Sequence, residues 1–240
     1  MKTAIVFGAT SGIGKEISEL LLKDGYKVAI TGRRLKKLEA LKKQYSNQVY
    51  VAQNDIQKVD EVENVFNEII KEFTTIDLII QSSGVGHINP TLAWDKEEET
   101  IFTNVVGVTK LYDLSFNLFR KQGFGHLVGI TSIASIRGNR GAPAYFSSKA
   151  YQKAYLESLY MKTKTIKSNK VFITDIRPGF VDTAMALGEG IFWMVSLEKA
   201  AKQIYTAIKK KKRVAYISKR WRLIAFVLKI VPARLLKKMI

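Results

Sequence analysis

Short, nearly all-apolar runs recur along the chain at a steady interval, and each is followed by a segment of helical periodicity. The runs are residues 3–7, 27–31, 49–52, 76–80, 125–131, 171–176 and 213–217. Continuous apolar character over so few residues predicts strands covered on both faces. Between them lie helical stripes such as Ile17, Leu20 and Leu21, or Leu35, Leu38 and Leu41 over 35–44. A helix beginning near Asp60 carries Val62, Val65, Phe66, Ile69 and Ile70. Longer helices are expected over 94–120 and from Pro143 to about residue 166, and another over 197–208. Strand and helix in alternation predict an α/β fold with a parallel sheet. Such sheets bind ligands outside the carboxyl ends of their strands.

The first run leads into Gly8-Ala9-Thr10-Ser11-Gly12-Ile13-Gly14 and then a helix. Strand, glycine turn and helix form the context of a dinucleotide-binding turn. Glycines let backbone approach a pyrophosphate, and the helix start offers N–H donors to its charge. The spacing is Gly-x-x-x-Gly-x-Gly, and a glycine turn without a ligand is the alternative. After the second run no carboxylate lies between Asp24 and Glu39; Arg33 and Arg34 stand where an acid would grip a ribose hydroxyl. Guanidinium groups bind a 2′-phosphate in a fork, so NADP(H) is favoured, with NAD(H) still possible. Both arginines can also be solvated turn residues. Asn54-Asp55-Ile56 closes the third run, where Asp55 can accept from an adenine amino group or cap the next helix. The small residues Ser82, Ser83 and Gly84 end the fourth run and permit close approach of a ligand.

The fifth run delivers Ser132, and the helix after Pro143 carries Tyr145 and Lys149. Spaced i and i+4, these two share a helix face. A tyrosine has an ordinary pKa of about 10, and a neighbouring ammonium is expected to lower it. Ser132 can hold a substrate oxygen beside the phenol. An ordinary surface Tyr/Lys pair is the competing reading. Asn104, inside a predicted helix, is either a satisfied core group or part of a site.

The whole constellation resembles the short-chain dehydrogenase/reductase family, in its compact single-domain branch. The motifs carrying it are the 8–14 glycine turn, Asn104, Ser132, Tyr145, Lys149 and Pro178-Gly179, and the resemblance covers residues 2–217. It implies a seven-stranded, doubly wound, Rossmann-type sheet and a nicotinamide dinucleotide. It implies an oxidoreductase with Tyr145 as general acid/base and Lys149 lowering its pKa and binding the nicotinamide ribose. Ser132 would position the carbonyl or alcohol, and Asn104 would anchor a water in a relay to Lys149. Pro178, Gly179, Val181 and Thr183 would line the nicotinamide, and Arg33 would meet the 2′-phosphate. Subunits of the family often pair through the two long helices, so a homo-oligomer is expected. Ser82-Ser83-Gly84 departs from the usual Asn-Ala-Gly, which weakens one contact near the cofactor. A non-catalytic dinucleotide sensor or scaffold at a membrane is the alternative function.

At 240 residues the chain suits one domain over 1–217 plus a basic extension over 218–240. With no cysteine and only His87 and His126, neither a disulfide framework nor a metal site is expected. The net charge of +18 is concentrated in the tail: 14 lysines and arginines follow Glu198, the last acid, leaving +4 on residues 1–198. No secretory signal is apparent, and no apolar run approaches the roughly 20 residues of a spanning helix. A cytoplasmic protein is expected, peripheral on the inner face of a membrane. The tail reads as a helix in a membrane interface, apolar side down with basic groups on anionic headgroups, ahead of a helix packed on the domain or on a second subunit; nucleic-acid binding is not expected. The segment 184–196, with Met185, Leu187, Ile191, Phe192, Trp193 and Met194, suits an apolar substrate or burial against a neighbour.

Overall fold

The computed structural model describes residues 1–185 and 192–239; Leu187 and Ile191 lie outside the described residues. Seven parallel strands form one sheet: β1 (Thr3–Phe7), β2 (Lys27–Gly32), β3 (Val49–Gln53), β4 (Leu78–Gln81), β5 (Phe124–Ile130), β6 (Lys170–Pro178) and β7 (Val214–Ile217). Their spatial order is β3-β2-β1-β4-β5-β6-β7. The order reverses between β1 and β4, which opens a crevice at their carboxyl ends.

Strand residues alternate between two cores. Ala4 and Val6 of β1 face the core made with α1 (Gly12–Lys23), α2 (Leu35–Tyr45) and α7 (Leu197–Lys209). Ile5 and Phe7 face the other, made with α3 (Val59–Phe73), α5 (Val108–Gln122) and α6 (Pro143–Lys162). The apolar runs are therefore strands with both faces covered, as their composition requires.

The helix expected over 94–120 is interrupted. It consists of α4 (Trp94–Ile101), a π-turn over Phe102–Gly107, and α5. At its end Gly107 lets the helix pack tightly on the segment after β3, because a Cβ there would stand 2.1 Å from the Ile56 carbonyl oxygen.

The C-terminal segment forms α8 (Trp221–Ile230) and α9 (Ala233–Met239), divided at Pro232. Trp221 is packed on the domain, the second of the two readings of the tail. It is buried, 3% exposed, in an aromatic cluster with Phe180, Phe192 and Trp193 at centroid distances of 5.1 to 6.2 Å. Ala225 and Leu236 are buried as well. The segment after β7 is thus docked onto the sheet's ligand-binding end. None of the helices is long and apolar enough to cross a membrane, among the described residues.

Candidate active site

The glycine turn spans the crevice between β1 and β4. Gly8 has φ of +85°, and a Cβ there would lie 2.6 Å from the Ser83 nitrogen. Gly14 packs on Gly8 so closely that a Cβ would stand 2.3 Å from its carbonyl. The turn can be built only of glycine at these points, and it leaves a backbone cradle before α1. Thr183 comes over the turn from the far side, with its methyl 3.7 Å from the position of a Cβ on Gly12. Ile13 is partly buried against the core, and Val181 lies in that core, bridged to Val195.

The two arginines part company. Arg34 turns over the glycine turn: Nη2 donates to Thr10 Oγ1 at 2.5 Å and to Ser11 Oγ at 2.7 Å. Arg33 reaches the other way, its Nη1 3.8 Å from Glu99 Oε1, and Glu99 in turn holds His87 at 2.7 Å. A cleft of about 360 Å³ lies beside Arg33, lined by Gln53, Asn54, Asp55, Lys58 and Glu61. Asp55 is not a helix cap, since α3 begins at Val59. Its Oδ1 accepts from the Gln57 N–H at 3.2 Å, in a turn before that helix. Ile56 is buried in the core below. Asn54 is buried with neither its amide nitrogen nor its amide oxygen bonded. Such orphaned groups cost free energy unless a ligand completes them. An edge with both donors and acceptors, such as adenine, fits this place.

At the other end of the crevice four polar side chains converge. Ser132 follows β5 in extended backbone, and its Oγ accepts from the Ala134 N–H at 3.1 Å, capping a 3₁₀ turn over Ile133–Ile136. Pro143 begins α6, where its missing N–H costs nothing. Tyr145 lies in the first turn of α6 and Lys149 in the second, as the spacing predicts. Gly86 faces the tyrosine ring, where a Cβ would lie 2.7 Å from Cδ2. Lys149 Nζ is 5.9 Å from the ring centroid and donates to the Ile130 carbonyl at 3.2 Å and Gln152 Oε1 at 3.1 Å.

The expected acidification of the phenol is not found. Burial pushes the Tyr145 hydroxyl above its ordinary value, and Ser132 only partly opposes that. Desolvation is the larger cause here, and the Lys149 ammonium is occupied with the Ile130 carbonyl and Gln152. Burial also lowers Lys149 to about 8, against the pull of Asp175. At rest the phenol is therefore a held proton.

Asn104 is fully buried in the π-turn. Its side chain donates to the Val85 carbonyl at 2.7 Å and to Ser148 Oγ at 3.0 Å, and accepts from the Val85 N–H at 3.0 Å. Its own carbonyl accepts from Gln152 Nε2 at 2.8 Å. Gln152 thus bridges Lys149 to Asn104. Sequence reading missed it, although its place three residues after Lys149 on one helix was the available signal. Gly84 completes the wall: a Cβ there would be 3.3 Å from Asn104 Oδ1 and 3.4 Å from Lys149 Nζ.

Two supports below and beside the site were also missed. Asp175, fully buried on β6, accepts from Thr131 Oγ1 at 2.5 Å and pairs with Arg177 at 2.6 Å. This fixes the strand end that carries Ser132. Trp221 packs on Gly179, where a Cβ would lie 2.0 Å from the indole nitrogen.

A doubly wound parallel sheet with a glycine cradle at its switch point, and Ser132, Tyr145 and Lys149 beyond it, defines a nucleotide-binding oxidoreductase. The chain belongs to the short chain dehydrogenase family, whose pattern it matches over residues 2–189. It is 32% identical over 189 residues to an uncharacterized oxidoreductase of Myxococcus xanthus, covering 77% of this chain and 74% of that one. It is 26% identical over 186 residues to the 3-oxoacyl-[acyl-carrier-protein] reductase of Bos taurus, covering 77% of each. Among solved structures it resembles an alcohol dehydrogenase of Thermococcus sibiricus complexed with 5-hydroxy-NADP, with a TM-score of 0.78 and 24% identity. That match covers 90% of this chain and 94% of the other.

Proposed function

We propose that the protein interconverts a lipophilic carbonyl compound and its alcohol with NADP(H). The geometry that carries this is the Tyr145 side chain at the start of α6 beside Ser132, with Lys149 one turn further along the same helix face. When bound, the nicotinamide dinucleotide supplies the hydride that adds to the carbonyl carbon. Ser132, its Oγ already accepting from Ala134, has its hydrogen left to donate to the carbonyl oxygen. Tyr145 gives its proton to that oxygen as charge develops there. The Lys149 ammonium then stabilises the phenolate, and Asn104, through Gln152, fixes the ammonium in position. Fixed geometry rather than a covalent intermediate lowers the barrier.

Arg34 at the glycine turn and Arg33 beside the adenine-sized cleft support a preference for the 2′-phosphate. Replacing both with glutamate should raise the KM for NADPH at least tenfold while that for NADH changes little. The exposed apolar residues Met185, Phe192, Trp193 and Met194 support a lipophilic substrate. Trp94, Ile101, Phe102 and Val106 along α4 and the π-turn, with Tyr151 and Tyr160 on α6, are exposed and support pairing of two copies through these helices. The unopposed positive charge of the tail supports residence at the inner surface of an anionic membrane.

Tyr145→Phe tests the reading. NADPH oxidation driven by long-chain ketones and aldehydes should fall at least a thousandfold, with NADPH affinity changed less than threefold. Absence of turnover by the unmodified protein across a broad carbonyl panel would instead favour a dinucleotide sensor.

A further inference from the structure

Helix α8 has two apolar faces, and only one of them is used inside the protein. Trp221 and Ala225 are buried, and Ile224 and Leu228 are half-buried on the same side. That inner face runs along the active site. It starts with Trp221 on Gly179, and it ends where Arg137, just beyond the 3₁₀ turn capped by Ser132, donates to the Leu228 carbonyl at 2.8 Å and to that of Val231. Ten residues of helix span about 15 Å, so α8 is a wall between the nicotinamide-side segment and the Ser132 turn.

The opposite face carries Leu223, Phe226, Val227 and Ile230, at the i, i+3, i+4 and i+7 positions of one stripe. Leu223 is 67% exposed, Phe226 63% and Ile230 63%. Leu235 at the start of α9 extends the patch. Lys219, Arg220, Arg222, Lys229, Arg234 and Lys237 are all exposed around it, and no acidic residue follows Glu198. A groove of about 460 Å³ joins the two kinds of residue, lined by Trp193, Lys219, Arg220, Arg222, Leu223 and Phe226. Trp193 also touches the aromatic cluster around Trp221, so the groove opens beside the active-site wall.

An apolar stripe edged only with cations is complementary to one kind of surface. It matches acyl chains lying under anionic headgroups. A protein partner would need its own acidic rim around an apolar ridge, and a second copy would set cation against cation. We infer that the outer face of α8 docks on an anionic lipid bilayer, and that its inner face thereby holds the active-site mouth against the lipid, so that the substrate is a long-chain carbonyl taken from the membrane. The substrate half of this rests on the reductase reading; the docking half does not.

The test uses the full chain, vesicles of phosphatidylglycerol and phosphatidylcholine, and the double variant Leu223→Glu/Phe226→Glu. Both side chains are exposed, so the fold should persist, and turnover of a short water-soluble ketone should be unchanged. Co-sedimentation with the anionic vesicles should weaken at least tenfold, and turnover of a long-chain ketone carried in them should fall at least tenfold. Equal vesicle binding by variant and parent would overturn the proposal, as would no binding by the parent. It would also be overturned if the variant merely dissociated an oligomer in sedimentation velocity with no change at vesicles. Vesicle binding that depends on Leu223 and Phe226, with no carbonyl turnover in any form, would support the docking and reject the reductase reading.

Discussion

Lys149→Met should abolish turnover and, at neutral pH, make the folded protein more stable. Burial holds the lysine at about 8 against an ordinary 10.5. At about 1.4 kcal/mol per pH unit, a difference of this size makes the buried ammonium cost about 3 kcal/mol at pH 7. Methionine fills similar space without charge. It leaves the Ile130 carbonyl and Gln152 Oε1 without their donor, at about 1 kcal/mol each. The net expectation is a gain of about 1 kcal/mol at pH 7. Between about 8 and 10.5 the unfolded chain binds more protons at this site than the folded one. The parent therefore gains stability as pH rises through that window, and the variant does not. Above it the parent should be more stable than the variant by about 2 kcal/mol, from the two lost hydrogen bonds. Urea unfolding of cofactor-free parent and variant at matched pH values measures the difference, in which contributions from other titrating groups cancel. A difference that stays constant from neutral to alkaline pH would refute the argument, because it would mean the lysine is not desolvated in the folded state.

Gly179→Ala places a methyl 2.0 Å from the Trp221 indole nitrogen. It should cost about 1–3 kcal/mol in chemical denaturation, and a smaller residue at 221 should restore part of that loss. Asp175→Asn removes the counter-charge of Arg177 and should destabilise by about 3–5 kcal/mol. The same change removes a charge that raises folded Lys149, so the lower edge of the Lys149-dependent window should move to lower pH in the unfolding profiles while its upper edge stays.

The strands were legible because burial on both faces admits few polar residues, and those only with partners such as Asp175 with Arg177, so apolar composition marks them. Ser132, Tyr145 and Lys149 were legible because each sits at a strand end or on one helix face, places that spacing determines. The π-turn was not, since apolar periodicity over 94–120 reads the same through one widened turn. The docking of Trp221 was left open for a related reason. A helix apolar on two sides looks like a surface-seeking helix until one side is seen to meet Gly179. The direction of the Tyr145 shift was misjudged because sequence shows the cation beside the phenol and not the water removed from both.

The widened turn over Phe102–Gly107 makes residue number itself a functional quantity. Exposed loops away from the glycine turn should tolerate a gained or lost residue, whereas removal of one residue between 102 and 107 would let the segment wind into an unbroken α-helix. Everything before the cut would then be rotated by roughly 100° relative to α5. Asn104 would leave Val85 and Ser148, and its carbonyl would turn away from Gln152. Such a deletion would yield a folded sheet with a disassembled proton path, a lesion of phase and not of chemistry.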